Sequence, residues 1–128
     1  GRLEKLEVFG KDYPTRDGTG VRDYIHVMDV ADAHVATLDY LLREGGYVSL
    51  NIGTGQGVSV LEIIDAFERV SDCQIPWVFG PRRSGDVPEC FADPALAEST
   101  LGWRAKRDIE TMCRDIHRRV PGEPFRRV

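Results

Sequence analysis

The feature that most constrains this chain is a change of period within YVSLNIGTGQGVSVLEIIDAFERV, residues 47–70. The apolar run at 47–53 reads as a strand that ends on glycine. TGQG is turn chemistry. Ser59 and Glu62 then stand three residues apart as a capping-box pair at the head of a helix. Val60, Ile63, Ile64, Phe67 and Val70 follow with the spacing of one buried stripe. A strand that passes through a glycine turn into a capped helix belongs to a layered α/β architecture.

The same alternation runs along the rest of the sequence. LEVFG at 6–10 alternates and ends on glycine, so a strand is expected there. KDYPTRDGTG is a turn, with Asp17-Gly18 and Gly20 free to take positive φ. VRDYIHV at 21–27 reads as a second strand. Val21, Asp23, Ile25 and Val27 would share one side, with Arg22, Tyr24 and His26 on the other. Asp29 suits a helix N-cap. Val30, Ala33, Leu38, Leu41 and Leu42 continue with helical spacing until Gly45-Gly46. IPWVFG is a short strand, with Pro76 marking a sheet edge. PRRSGDVPECFAD is a long loop. Asp93-Pro94 open a short helix that Gly102 ends. Asp108 opens the last helix, with Ile109, Met112, Cys113, Ile116 and Val120 on one face and Pro121-Gly122 closing it.

With 128 residues, 41% of them hydrophobic and 30% charged, the chain has the length and balance of one domain with its own core. Its net charge of -4 argues against nonspecific nucleic-acid binding. The arginine-rich stretch from Arg104 onward reads as a solvated helix face and polar tail. Cys73, Cys90 and Cys113 are odd in number and lack metal-site spacing, which points to reduced thiols in the cytoplasm. No apolar run approaches the ~20 residues of a membrane span, and no signal-peptide pattern is present. The chain opens on GRLEKLEVFG without methionine, so a beginning farther upstream is expected.

Few motifs carry chemistry. GTGQG at 53–57 approaches a dinucleotide fingerprint, but Val58 stands where the third glycine belongs, so a tight strand-to-helix turn is expected. His26, His34 and His117 have no metal-ligand spacing and read as surface or packed residues. No Gly-x-Ser-x-Gly elbow or phosphate-binding loop occurs, and no tyrosine is followed four residues later by lysine. Two features remain. Arg22 lies on the polar side of a short strand beside Tyr24, and PRRSGD places Arg82 and Arg83 shortly before Asp86. Arginines converging from two segments can clamp a phosphate with forked hydrogen bonds, and a carboxylate beside them suits a sugar diol. Surface ion pairs explain the same residues without a ligand.

Three blocks, VFGKDYPTRDGTGVRDYIHVMDVADAHVATLDYL, NIGTGQGVSVLEII and PRRSGDVPECFAD, with LGW downstream, resemble the C-terminal half of the UDP-glucose 4-epimerases. These belong to the extended short-chain dehydrogenase/reductase superfamily. The resemblance covers nearly the whole chain in order. It implies an α/β, Rossmann-related substrate-binding portion over 1–128, without the N-terminal NAD-binding core. Backbone groups of Glu7, Val8 and Phe9 would hold uracil. Arg22 and Arg83 would hold the diphosphate, and Asp86 the ribose hydroxyls. Cys90 stands where some members have a tyrosine against the hexose. A small residue there accompanies acceptance of UDP-N-acetylhexosamines. The family interconverts UDP-glucose and UDP-galactose by moving the C4 hydride onto NAD and back. Its tyrosine base, the lysine four residues on, and the glycine-rich NAD loop have no counterpart here. The resemblance also implies a homodimer for the full-length enzyme. The fragment alone is expected to bind UDP-sugar without turnover and to expose apolar surface.

Three other readings compete with an enzyme fragment. One is a stand-alone nucleotide-sugar-binding module. Another is a related dehydratase or decarboxylase half, which would share the arginines but lack the DYPTRDGTGVRDYIHV block. The last is an α/β domain with no ligand.

Overall fold

The computed structural model describes residues 4–119. In chain order the elements are β1 (Leu6–Phe9), β2 (Val21–Arg22), α1 (Val27–Glu44), β3 (Val58–Ser59) and α2 (Val60–Ser71). They continue with β4 (Trp77–Gly80), β5 (Glu89–Cys90), α3 (Ala95–Leu101) and α4 (Ile109–Arg119). The expected α/β class is observed. β1 and β4 pair in parallel, from Leu6 opposite Trp77 to Phe9 opposite Gly80. The second sheet has the order β3-β2-β5, antiparallel on the β3 side and parallel on the β5 side.

Apolar packing gathers where α1 meets α3. Ala33, Ala97 and Trp103 form the buried cluster, and Ile25, Leu50 and Ile52 lean on it. Small residues let the two helices approach the indole closely, and the Trp103 N–H donates to Asp29 O at 3.1 Å. α2 packs on α4, where the Phe67 and His117 rings meet edge to face at 6.0 Å. Cys113 on α4 is buried, and burial pushes its thiol above the ordinary value. No disulfide involves Cys73, Cys90 or Cys113.

Several local expectations hold. Ser59 and Glu62 make the reciprocal capping box of α2. Gly102 ends α3 in the left-handed region. The Asp108 carboxylate accepts the Thr111 N–H at 2.8 Å at the head of α4. Val120 and Pro121-Gly122 lie outside the described residues.

Others are corrected. The strand expected at 21–27 is a ladder for Val21 and Arg22 only, because α1 begins at Val27. Its N-cap is His26, not Asp29. The His26 Nδ1 accepts the Met28 N–H at 3.0 Å, so Nε2 carries the proton and donates to Asp115 at 3.2 Å. Asp29 is instead fully buried within the first turn. Its carboxylate accepts the backbone N–H groups of Lys106 (3.2 Å) and Arg107 (3.0 Å) and pairs with the Arg107 guanidinium. The segment 47–53 belongs to no ladder among the described residues. Its alternation survives nonetheless: Leu50 and Ile52 face the core while Ser49 and Asn51 are exposed. It lacks a neighbouring strand, not the strand pattern. The stripe expected on α1 is also split. Ala33 is buried, but Leu38 is 61% and Leu42 86% exposed. The loop expected at 81–93 contains β5. The cap of α3 lies one residue later than expected, at Pro94, with the Asp93 carboxylate accepting the Ala95 N–H at 3.0 Å.

Removing the Asp29 carboxylate would leave two amides without their acceptor and Arg107 with Asp32 alone, beside a site that is fully buried. Asp29→Ala is expected to cost about 3 kcal/mol of stability, read from urea unfolding curves.

Candidate functional site

Local turn chemistry aims Arg22. Gly18 takes φ +80°, and a Cβ there would meet the backbone of Lys11. The Asp17 carboxylate closes the turn by accepting the Thr19 N–H (2.9 Å) and hydroxyl (2.7 Å), then reaches across to accept the Ser59 hydroxyl. Arg16 donates to Gly57 O at 2.7 Å and pairs with Glu62. The turn is therefore tied to the head of α2 from both flanks, and β2 leaves it in a fixed direction.

Arg22 sits in the middle strand of its sheet, opposite Cys90. Its Nη1 donates to Val21 O at 2.8 Å and reaches Pro88 O at 3.5 Å, while Nη2 lies 3.8 Å from the Asp86 carboxylate. Asp86 is joined to Arg83 through one turn, its N–H donating to Arg83 O at 3.3 Å. The Arg83 guanidinium lies over the Phe9 ring, 3.9 Å from the centroid. Arg82 takes a different part. It stacks on the Tyr13 ring at 4.3 Å and donates to the Asp12 carboxylate at 2.7 Å.

β1 carries the remaining expected residues. Val8 points its side chain into the interior, 1% exposed. Leu6 and Gly10 donate backbone N–H groups toward β4, to Pro76 O and Gly80 O. By the two-residue alternation, Glu7 and Phe9 present theirs to the opposite edge, which no described strand covers. The Glu7 side chain lies over Gly80, where a Cβ would come within 2.8 Å of it. Thus Arg22, Asp86 and Cys90 come together at the second sheet, and Arg83 joins Phe9 at the first. The 83–86 turn connects the two groups.

The glycine turn at 53–57 holds an anion, but the anion belongs to the chain. The Asp23 carboxylate accepts the N–H groups of Thr54, Gly55 and Ala92, at 3.0 to 3.2 Å, and the Thr54 hydroxyl at 2.5 Å. A Cβ on Gly53 would lie 2.5 Å from that carboxylate and 2.6 Å from Ala92 Cβ, so glycine is required. Sequence reasoning placed Asp23 among the residues of one strand face and missed this role. The signal available was a carboxylate beside Arg22 and a glycine run with no phosphate motif. Among the described residues no cluster of His, Cys, Asp or Glu has the makings of a metal site. No described helix is long and apolar enough to cross a membrane.

The family model described as GDP-mannose 4,6 dehydratase matches residues 1–116. The UDP-glucose 4-epimerase of Bacillus subtilis (strain 168) is 57% identical over 118 residues, which is 92% of this chain and 35% of that relative. Among solved structures, the UDP-glucose 4-epimerase of Stenotrophomonas maltophila, with bound NAD and formylated UDP-arabinopyranose, superposes with a TM-score of 0.89. It is 53% identical, over 91% of this chain and 34% of that one. The Bifidobacterium longum UDP-glucose 4-epimerase, in complex with NAD+ and UDP, gives 0.84 at 48% identity, over 89% and 34%. The chain thus spans about a third of the length of these relatives, less than the half expected. Its fold is a portion of an extended short-chain dehydrogenase/reductase.

Three carboxyls in this region lie below their ordinary values. Burial works against ionisation of Asp17 and Asp23, but donors from Ser59 and Thr19, and from Thr54, Gly55 and Ala92, outweigh it. The Arg16 guanidinium holds Glu62 down. A carboxyl lowered by folding contributes stability above its unfolded value and loses it as pH falls through the folded one. Stability against urea is therefore expected to be level above about pH 5 and to fall steadily below about pH 4. Urea midpoints measured across that range check it.

Proposed function

This chain belongs to the GDP-mannose 4,6 dehydratase family, and from that premise we propose that it is the UDP-sugar-binding part of an NAD-dependent UDP-hexose 4-epimerase. The carrying observation is the 83–86 turn. It sets a guanidinium over the Phe9 ring at one sheet and a carboxylate beside Arg22 at the other. On this reading uracil pairs with the open edge of β1 through backbone groups of Glu7 and Phe9, while Val8 between them turns its own groups to β4, a correction to the expectation that all three hold the base. Arg83 and Arg22 take the diphosphate by charge-assisted hydrogen bonds, and Asp86 accepts two ribose hydroxyls. Binding diphosphate would also satisfy Arg22, whose present acceptors are two carbonyls and a long contact to Asp86.

NAD supplies the hydride acceptor for sugar C4 when it is bound to such an enzyme. The glycine turn at 53–57 does not form its cradle, since the amides of Thr54 and Gly55 already hold Asp23. We assign this chain no step through NAD. Its residues bind the nucleotide, orient the hexose and contribute no proton acceptor, as no tyrosine–lysine pair at that spacing occurs in it. Taken by itself, the chain is then a nucleotide-sugar-binding module, and turnover requires a longer polypeptide. Three thiols outside any disulfide suit the cytoplasm, which we assign as its compartment.

Titrating the chain with UDP, followed by amide shifts, is expected to move Phe9, Arg22, Arg83 and Asp86. Arg22→Ala and Arg83→Ala are each expected to weaken UDP binding about tenfold or more, because each removes a charged donor. No saturable shift in the unaltered chain would refute the assignment.

Cys90 is exposed, small and opposite Arg22, which leaves room at the hexose end. We infer that the site accepts UDP-N-acetylhexosamines as well as plain hexoses. Cys90→Tyr is expected to weaken UDP-N-acetylglucosamine about tenfold and UDP-glucose by less than threefold, because a ring would occupy the acetyl space. Calorimetric titration of both sugars tests it, and unchanged selectivity would remove the idea.

A further inference from the structure

We propose that Asp23 is a positioning residue for the hexose end of the site, fixing β5 and therefore Cys90 against β2. The inference rests on the nucleotide-sugar reading above and extends it to a residue that touches no ligand. β5 has only two residues. Backbone bonds at both ends of the ladder hold it beside β2, Val21 N–H to Pro88 O at 2.9 Å and Asp23 N–H to Cys90 O at 3.2 Å. A parallel ladder would next require an acceptor for Ala92. The Asp23 carboxylate takes that place, at 3.2 Å, so a side chain continues the ladder where the backbone of β2 has turned away. The same oxygen, Oδ2, also accepts the Thr54 and Gly55 N–H groups, while Oδ1 accepts the Thr54 hydroxyl. One residue thus joins the exit of β2, the 53–55 turn and the segment that follows Cys90.

The donors around Asp23 are amides and a hydroxyl. Among the described residues no cation pairs with this carboxylate, so its charge is held by neutral hydrogen bonds. An asparagine whose amide oxygen takes the place of Oδ2 keeps the N–H groups of Ala92, Thr54 and Gly55, whereas an alanine removes the acceptor altogether. Burial and these donors act in opposite senses on the carboxyl, and the donors prevail, holding it ionised where it must accept four bonds. The contacts proposed for uracil, diphosphate and ribose lie on β1, Arg22 and the 83–86 turn. None depends on Ala92. Loosening Asp23 therefore disturbs the sugar end and spares the nucleotide end.

The test compares UDP with UDP-glucose on the unaltered chain and on Asp23→Ala, by amide-shift titration. The expected result is UDP affinity within twofold of the unaltered chain, with shifts retained at Arg83 and Asp86. The extra shift that UDP-glucose produces at Cys90 should collapse, and the preference for UDP-glucose over UDP should change about tenfold. Thr54→Val removes one donor and leaves the others. It is expected to give the same pattern at smaller amplitude, and it serves where Asp23→Ala does not fold. Equal weakening of both ligands, as a purely structural role would produce, overturns the inference, and so does an unchanged Cys90 response. Failure of the unaltered chain to bind UDP removes the nucleotide-sugar reading and this inference with it.

Discussion

Asp29 has no exposed surface, yet its carboxylate meets two amides and a guanidinium from a segment 77 and 78 residues downstream. That interaction seats the 105–107 segment on α1. It also places Trp103, whose N–H bonds to the Asp29 carbonyl, over Ala33 and Ala97. Asp17 and Asp23 repeat the device on either side of β2. Asp17 bridges its own turn to Ser59, and Asp23 bridges β2 to two loops. With strands of only two residues, backbone ladders cannot hold this sheet in register alone. Carboxylates that collect amides from several segments make up the difference, because each charged acceptor holds its donors more firmly than a carbonyl would.

The parts of the fold legible in the sequence were those decided within a few residues. The Ser59–Glu62 capping box, the Gly102 terminus and the Asp108 cap each need only neighbours three or four positions away. Asp29 shows where that legibility stops. An aspartate before an apolar stripe has the local pattern of an N-cap, and nothing nearby tells that Arg107 will claim it. His26 then takes the cap through a ring nitrogen, a residue type that local preference ranks lower. The 47–53 segment fails for a complementary reason. Its period is that of a strand, but a ladder is a property of two segments, and the described chain offers only one.

The site followed the same division. Arg22, Arg83 and Asp86 could be singled out because guanidinium and carboxylate groups near glycine have a recognisable chemistry. Their arrangement could not, since Arg22 meets Asp86 only through a parallel pairing of β2 with β5, and β5 lies in a stretch that reads as loop. Arg82 and Arg83 look equivalent in PRRSGD, yet one braces Asp12 and Tyr13 while its neighbour covers Phe9. Adjacent side chains point apart, and only the fold says which of the two lies over Phe9. The glycine turn at 53–57 carries the opposite lesson. Its amides do gather around negative charge, as such turns tend to, but the charge comes from Asp23.

The outward side of α1 bears on how the molecule responds to temperature. Val27, Val35, Leu38 and Leu42 remain largely in contact with water in the folded chain. Apolar groups already hydrated before unfolding add nothing to the heat-capacity increment that unfolding produces. The free-energy curve of this chain against temperature is therefore flatter than 128 residues would suggest. Covering that side of the helix would deepen the curve's arch as well as raise it.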